Sequence, residues 1–479
     1  MSTNYKLQDF SLVRIFQTLL LLVIIFLFIA ALNEYKGENY IYVIFTIVSS
    51  ALIFSGFRKN AIFFDTFIGV FLWLGFWLKL TIRVAYMDGQ FHEPVGNFDG
   101  SAVEFDRTLL VASCGFLGIL LASYFREKFL FVYPSVINET AQKGLFMFYK
   151  NHRKTLLLGF VALFFTVAIT NVYLGIYQRG TIPNTILPYG LNGIYKWLLL
   201  FGLTSVSAVI LKFEYTMAKK TTYLVAVIGL MESFVSNVSL LSRGMILNTG
   251  ALVYGVLRGL KLYQIKSNIR FLVICFVIFI TLFGSSVVVV NYLRANSFHI
   301  QNTQITKHAL ERTSQQTSIL FLDRWVGIEG VMAVSSYPDL GLDLWKNAWQ
   351  ETYSENETSF YDINLITSPY LTDKTLNLTK HHFISLPGIV AFCFYPGSYL
   401  FLFFCMFVIG MFASTLELIT FKMGGKNIIL CALLAQVIAF RFASFGYVPA
   451  QSYLLFGTIF INILMIFMTD KFLTFWYKR

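Results

Sequence analysis

Residues 221–260 read TTYLVAVIGLMESFVSNVSLLSRGMILNTGALVYGVLRGL. Two apolar runs, 221–241 and 245–260, meet across Ser242-Arg243-Gly244 with almost no loop between them. Each approaches the length a helix needs to cross ~30 Å of hydrocarbon, so the pair predicts two consecutive antiparallel membrane helices. An ionisable residue in such a place costs at least ~2.5–3.5 kcal/mol and usually faces a bundle interior or a water-filled cavity. Arg243 therefore needs a reason. Glu232, Ser236, Ser239 and Arg243 follow one another at spacings of four, three and four. At 100° per residue they share one face within about 60°, a polar stripe roughly 16 Å long.

The rest of the chain repeats the pattern. Of its 479 residues 57% are hydrophobic and 13% charged, well below the ~25% charge of soluble domains. Twelve apolar segments are expected to be membrane helices: 13–33, 40–57, 62–80, 108–125, 155–176, 195–212, 221–241, 245–260, 271–292, 397–418, 427–445 and 451–469. The fold class is thus an all-α polytopic membrane protein. The organisation is 1–292 with nine helices, 293–396 as one large loop, and 397–479 with three more helices. The first apolar run follows Lys6 and Arg14 and reads as an uncleaved anchor.

The net charge of +12 sets topology rather than nucleic-acid binding. Basic residues cluster in alternate loops: Arg58 and Lys59; Arg126 to Lys154; Lys212 to Lys220; Arg258 to Arg270; Lys422 and Lys426; Lys471 to Arg479. This places both termini in the cytoplasm. The large loop then lies outside. It is polar, and Trp325, Trp345 and Trp349 suit it to a packed subdomain with helical patches. Its end, HHFISLPGIVAFCFYPGSYL at 381–400, is broken by Pro387, Gly388, Pro396 and Gly397 and suggests a short segment dipping back to the membrane. The five cysteines have no CxxC spacing, and no DxD, HExxH or phosphate-loop motif is present, so no metal and no cofactor are expected.

Several cations violate the positive-inside trend. Lys79 and Arg83 share a face near the outer end of the third helix. Arg179 opens the third outer loop, Lys196 begins the sixth helix, Arg294 ends the ninth, Arg441 lies near the end of the eleventh, and Arg324 sits in the large loop. Arginine donates two parallel hydrogen bonds to phosphate oxygens, so a ring of such residues suits an anionic, lipid-linked pyrophosphate. The third outer loop, RGTIPNTILPYG from Arg179 to Gly190, is stiffened by two prolines.

These features resemble the Wzy-type O-antigen polymerases, which lengthen lipid-linked bacterial polysaccharide. The likeness rests on the helix count, on enlarged third and fifth outer loops at 177–194 and 293–396, and on an arginine and a glycine separated by ten residues, as in Arg179 to Gly190. The SRG at 242–244 and LDRWVGIEGVMAV at 322–334 carry it further. The large loop departs from the pattern: Arg294, Arg312 and Arg324 each lack a glycine eleven places on. The resemblance implies a GT-C-like glycosyltransferase in the bacterial inner membrane. Its donor and acceptor would be undecaprenyl-pyrophosphate-linked oligosaccharides, among membrane lipids and beside a chain-length-determining co-polymerase. Cations would stabilise the leaving pyrophosphate. A base would assist the attacking hydroxyl, with His382 and His381 ranked first because histidine titrates near neutrality, then Asp323, Glu329 and Asp339. An O-antigen ligase or other GT-C transferase shares this chemistry with a different acceptor. A polysaccharide flippase would concentrate its charge along a central path instead.

Overall fold

The computed structural model describes residues 4–91, 93–137, 143–218, 223–242, 244–264, 269–298, 322–352, 358–368 and 384–477. Among these, regular structure is helical. In the first half run α1 (Asn4–Glu34), α2 (Asn39–Gly56), α3 (Phe63–Tyr86), α4 (Ala102–Phe129), α5 (Lys143–Asn151), α6 (Arg153–Leu174), α7 (191–218), α8 (Tyr223–Ser239), α9 (Met245–Leu262) and α10 (Ile269–Phe298). The short helices α11 (Ile328–Ser335), α12 (Leu342–Trp349), α13 (Phe360–Asn364) and α14 (Ile389–Cys393) follow, then α15 (Tyr399–Met423), α16 (Ile428–Ala443) and α17 (Ser452–Trp476).

Each of the twelve apolar segments falls largely or wholly within a helix, and eight helices are long and apolar enough to cross a membrane. Shorter apolar helices occupy Leu21–Glu34, Tyr223–Ser239 and Ile428–Ala443. Polar residues lie within several helices: Glu232 and Asn237 in α8, Gln436 and Arg441 in α16, and Asn248, Arg258 and Lys261 in α9.

Helix ends follow ordinary capping rules. Ser101 accepts from Glu104 N at 3.4 Å to start α4, and Asn427 accepts from Ile429 N and Leu430 N to start α16. Two helices contain a π-helical turn, Trp73–Leu78 in α3 and Leu198–Gly202 in α7. Such turns shift the register of the face that follows and concentrate at functional sites. The first leads directly into Lys79; the second lies between Lys196 and Thr204.

The described parts of the 293–396 segment fold into the bundle. Every residue of α11 and of α14 is buried. Gly327 and Gly330 make this possible. A Cβ on Gly327 would lie 2.2 Å from the Gly75 carbonyl oxygen, and one on Gly330 would lie 1.9 Å from that of Pro387. The tryptophans anchor the rest: Trp325 stacks on Phe71 at 5.8 Å, Trp345 meets Phe401 at 5.3 Å, and Trp349 meets Phe392 at 5.5 Å. The segment closes one end of the bundle, where α3 ends and α4 and α15 begin; this is termed the capped end below.

Candidate functional site: a cation cluster at the capped end

Four of the residues expected to act on substrate are paired with each other. Lys79 Nζ donates to Glu329 Oε1 at 2.8 Å, and Arg83 Nη2 pairs with Asp323 Oδ1. Lys79 also lies 3.4 Å from the Asp323 carbonyl, and Arg83 Nη1 donates to the Gln90 carbonyl. The side chains of Lys79 and Glu329 are 1% and 6% exposed. Lys79 and Arg83, expected at a pyrophosphate, and Asp323 and Glu329, named as possible bases, are thus each engaged in an ion pair. A cation so deeply buried requires a counter-ion, and the α11 region supplies one for each. The two pairs clasp α11 to α3. One oxygen, Asp323 Oδ2, remains buried without a hydrogen-bond partner.

The second group of cations is arranged differently. Asn171 of α6 holds the frame. Its side chain accepts from Tyr177 N at 2.9 Å, and donates to the Tyr177 carbonyl at 2.9 Å and to Ser239 Oγ at 2.9 Å. Arg179 N then bonds to the Leu240 carbonyl at 2.9 Å. Asn192 closes the rest of the 175–190 segment, donating to the carbonyls of Ile176 and Thr185 and accepting from Leu187 N. The segment is therefore a fixed structure, as its prolines suggest. Gly190 adopts φ 72° with nothing within 4 Å of its Cβ position, so its role is to start α7.

Onto this frame come the cations. Arg294 Nε donates to the Leu241 carbonyl at 2.8 Å, and its Nη2 lies 3.3 Å from the Arg179 carbonyl. The Arg179 guanidinium faces Gly244, with Nη1 3.8 Å from where a Cβ would sit. Lys196 stands over the Tyr177 ring, 5.4 Å from its centre. Arg441 donates to Ser452 Oγ at 2.8 Å and lies over the Phe445 ring. Among the described residues no carboxylate lies within 4 Å of Arg179, Lys196 or Arg441, in contrast to Lys79, Arg83, Arg126 and Arg153. The half-buried Arg179 guanidinium makes no hydrogen bond with any described residue. Among the described residues Arg179, Lys196 and Arg441 thus have no ion-pair partner, and their N–H donors suit an anion.

No family model, curated protein or solved structure matches the chain. The site must therefore be read from its own geometry.

Two strained residues border the cluster. Leu241 has φ 50° and Val448 has φ 41°, a left-handed conformation that a β-branched side chain rarely adopts. The Leu241 carbonyl is the one that receives Arg294. Val448 is held by Glu351, whose two oxygens accept from Val448 N at 2.7 Å and Phe360 N at 2.6 Å. Burial raises the Glu351 carboxyl above its ordinary range, against the pull of those two amides. Tyr177, Asn171, Glu351 and the strained pair carry no motif, so sequence reading passed over them.

The polar stripe of α8 turns into the bundle. Ser239 Oγ donates to the Ala168 carbonyl and receives Asn171, while Glu232 receives Ser236 at 2.9 Å and Thr204 at 3.4 Å. The stripe thus packs against α6 and α7. Arg243, His381 and His382 lie outside the described residues. Arg324 is half-buried beside Asp323, and Asp339 is exposed. An apolar cavity of about 500 Å³ opens between α7, α8, α9 and α10, walled by Tyr215, Gly229, Leu252, Phe271 and Phe276.

Proposed function

We propose that the chain is a Wzy-type polymerase that joins undecaprenyl-pyrophosphate-linked repeat units on the outer face of a bacterial inner membrane. In this reading twelve helices cross the bilayer, both termini are cytoplasmic, and the capped end faces outward. The observation that carries it is a set of three cations, Arg179, Lys196 and Arg441, with no carboxylate within 4 Å among the described residues; Lys196 stands over the Tyr177 ring and Arg441 is held by Ser452. Arg294 joins them through the Leu241 and Arg179 carbonyls.

The chemistry follows from the charges. The acceptor hydroxyl forms a new C–O bond at the anomeric carbon of the donor sugar, and the bond from that carbon to the pyrophosphate oxygen breaks. Arg179 and Arg441 hold the departing pyrophosphate and stabilise the charge it gains. The hydroxyl proton passes to a base. Asp323 keeps one oxygen open for that proton, and His381 and His382 remain candidates for the same role. Arg83 and Lys79 support the site at one remove, by fixing α11. An O-antigen ligase would use the same cations with another acceptor.

The test is genetic. Deleting the gene in its own host should leave single-repeat product on a polysaccharide gel. Wild-type protein should restore the ladder, and Arg179→Ala or Arg441→Ala, expressed to the same level, should not. A full ladder from both variants removes the cation cluster from the reaction. Loss of all surface glycan in the deletion indicates a ligase or flippase instead.

A further inference from the structure

Glu232 lies at the middle of α8 and is 0% exposed. Oε1 receives the hydroxyls of Ser236 and Thr204, and Oε2 is buried without a hydrogen-bond partner. Among the described residues the helices packed against α8 place no cation within 4 Å of Glu232. Their charged groups lie toward the helix ends: Arg153 and Lys154 of α6; Lys196, Lys212 and Glu214 of α7; Arg258 and Lys261 of α9; Arg270 and Arg294 of α10. Arg179, which reaches the end of α8 at Leu240, is eight residues further along.

An ionised carboxylate in such a place is not stable without a companion charge. The surroundings add a second observation. Ser207 Oγ of α7, Ser233 Oγ of α8, Thr249 Oγ1 of α9 and Ser286 Oγ of α10 are also buried without partners. Buried polar groups are satisfied by protein or by ordered water, so these hydroxyls, on α8 itself and on three helices packed against it, offer places where water can bind. The cavity between these helices is walled in part by Gly229 and Thr249, Gly229 being one turn from Glu232.

We propose that Glu232 is a proton-binding site within the bundle: its carboxyl carries a proton on Oε2 and exchanges it with water held among the neighbouring hydroxyls. A metal cation fits less well. Hard cations take about six or more oxygen ligands, whereas Oε1 is already committed to two hydroxyl donors and a single carboxylate oxygen is left. The proposal stands independently of the polymerase reading.

Infrared spectroscopy of the full-length protein in lipid nanodiscs tests it. Near neutral pH and in potassium chloride, the wild type should show the C=O stretch of a protonated carboxyl that Glu232→Gln lacks and Glu232→Asp shifts. Both variants should elute and melt like the wild type; if Gln misfolds, the Asp shift alone decides. Exchange into deuterium oxide should move the band, as water access requires. Superimposable wild-type and variant spectra overturn the proposal. So does a band that vanishes when sodium replaces potassium, which would assign the site to an alkali cation.

Discussion

Replacing Glu329 by methionine isolates the energy that holds the capped end together. Lys79 is 1% exposed, and its ammonium has the Glu329 carboxylate at 2.8 Å and the Asp323 carbonyl at 3.4 Å. Removing the carboxylate leaves a buried cation with one distant neutral acceptor. Breaking a buried pair from one side costs ~3–5 kcal/mol, whereas replacing both partners by apolar residues of similar volume is often neutral or stabilising. Glu329→Met alone and Lys79→Met alone should therefore each lower stability by ~3–5 kcal/mol, and the double variant should recover most of that. The assay is reversible unfolding in mixed micelles, followed by tryptophan fluorescence because Trp325 lies beside the pair and stacks on α3. Glycan synthesis by the double variant adds a second readout. If Lys79 serves only to hold α11, the double variant makes polymer. A single-substitution cost below ~1 kcal/mol, the range of exposed pairs, refutes the reasoning. A stable but inactive double variant returns Lys79 to the substrate site.

Two further outcomes test the packing and the electrostatics. Gly330→Ala should lower the thermal midpoint and the yield of folded protein, because its methyl would meet the Pro387 carbonyl oxygen at 1.9 Å; Gly341→Ala, with φ 179° and open space, should not. Burial raises the carboxyls of Glu351 and Asp362. Each thus contributes stability that is present below the ordinary carboxyl range of about 4 and is lost as pH rises through its raised value. The thermal midpoint should fall across that window in the wild type and fall less in Glu351→Gln/Asp362→Asn; identical slopes contradict this.

The helices were legible in the sequence because apolar length is a local property. All twelve segments lie largely or wholly in helices, and the broken stretch around Pro387 does contain the short buried helix α14. The paired charges were not legible. Lys79 and Glu329 are 250 residues apart in the chain, and no local pattern reports that α11 inserts between α3 and α4. Lys79 and Arg179 look alike as residues out of place, and the position of α11 gives Lys79 a carboxylate that Arg179 lacks among the described residues. Of the α8 stripe, Ser239 meets Asn171 and Glu232 meets Thr204, while Arg243 lies outside the described residues. Backbone strain at Leu241 and Val448 leaves no trace in composition at all.

If Arg179 and Arg441 hold a lipid pyrophosphate at the capped end, binding of undecaprenyl pyrophosphate to the full-length protein in nanodiscs measures their contribution directly. Each charge-assisted contact is worth ~1.5–3 kcal/mol, so Arg179→Ala and Arg441→Ala should each weaken affinity roughly 10- to 150-fold. Undecaprenyl monophosphate, with fewer charged oxygens, should bind the wild type more weakly and lose less on substitution. Affinity for the pyrophosphate that is unchanged in both variants would contradict the account.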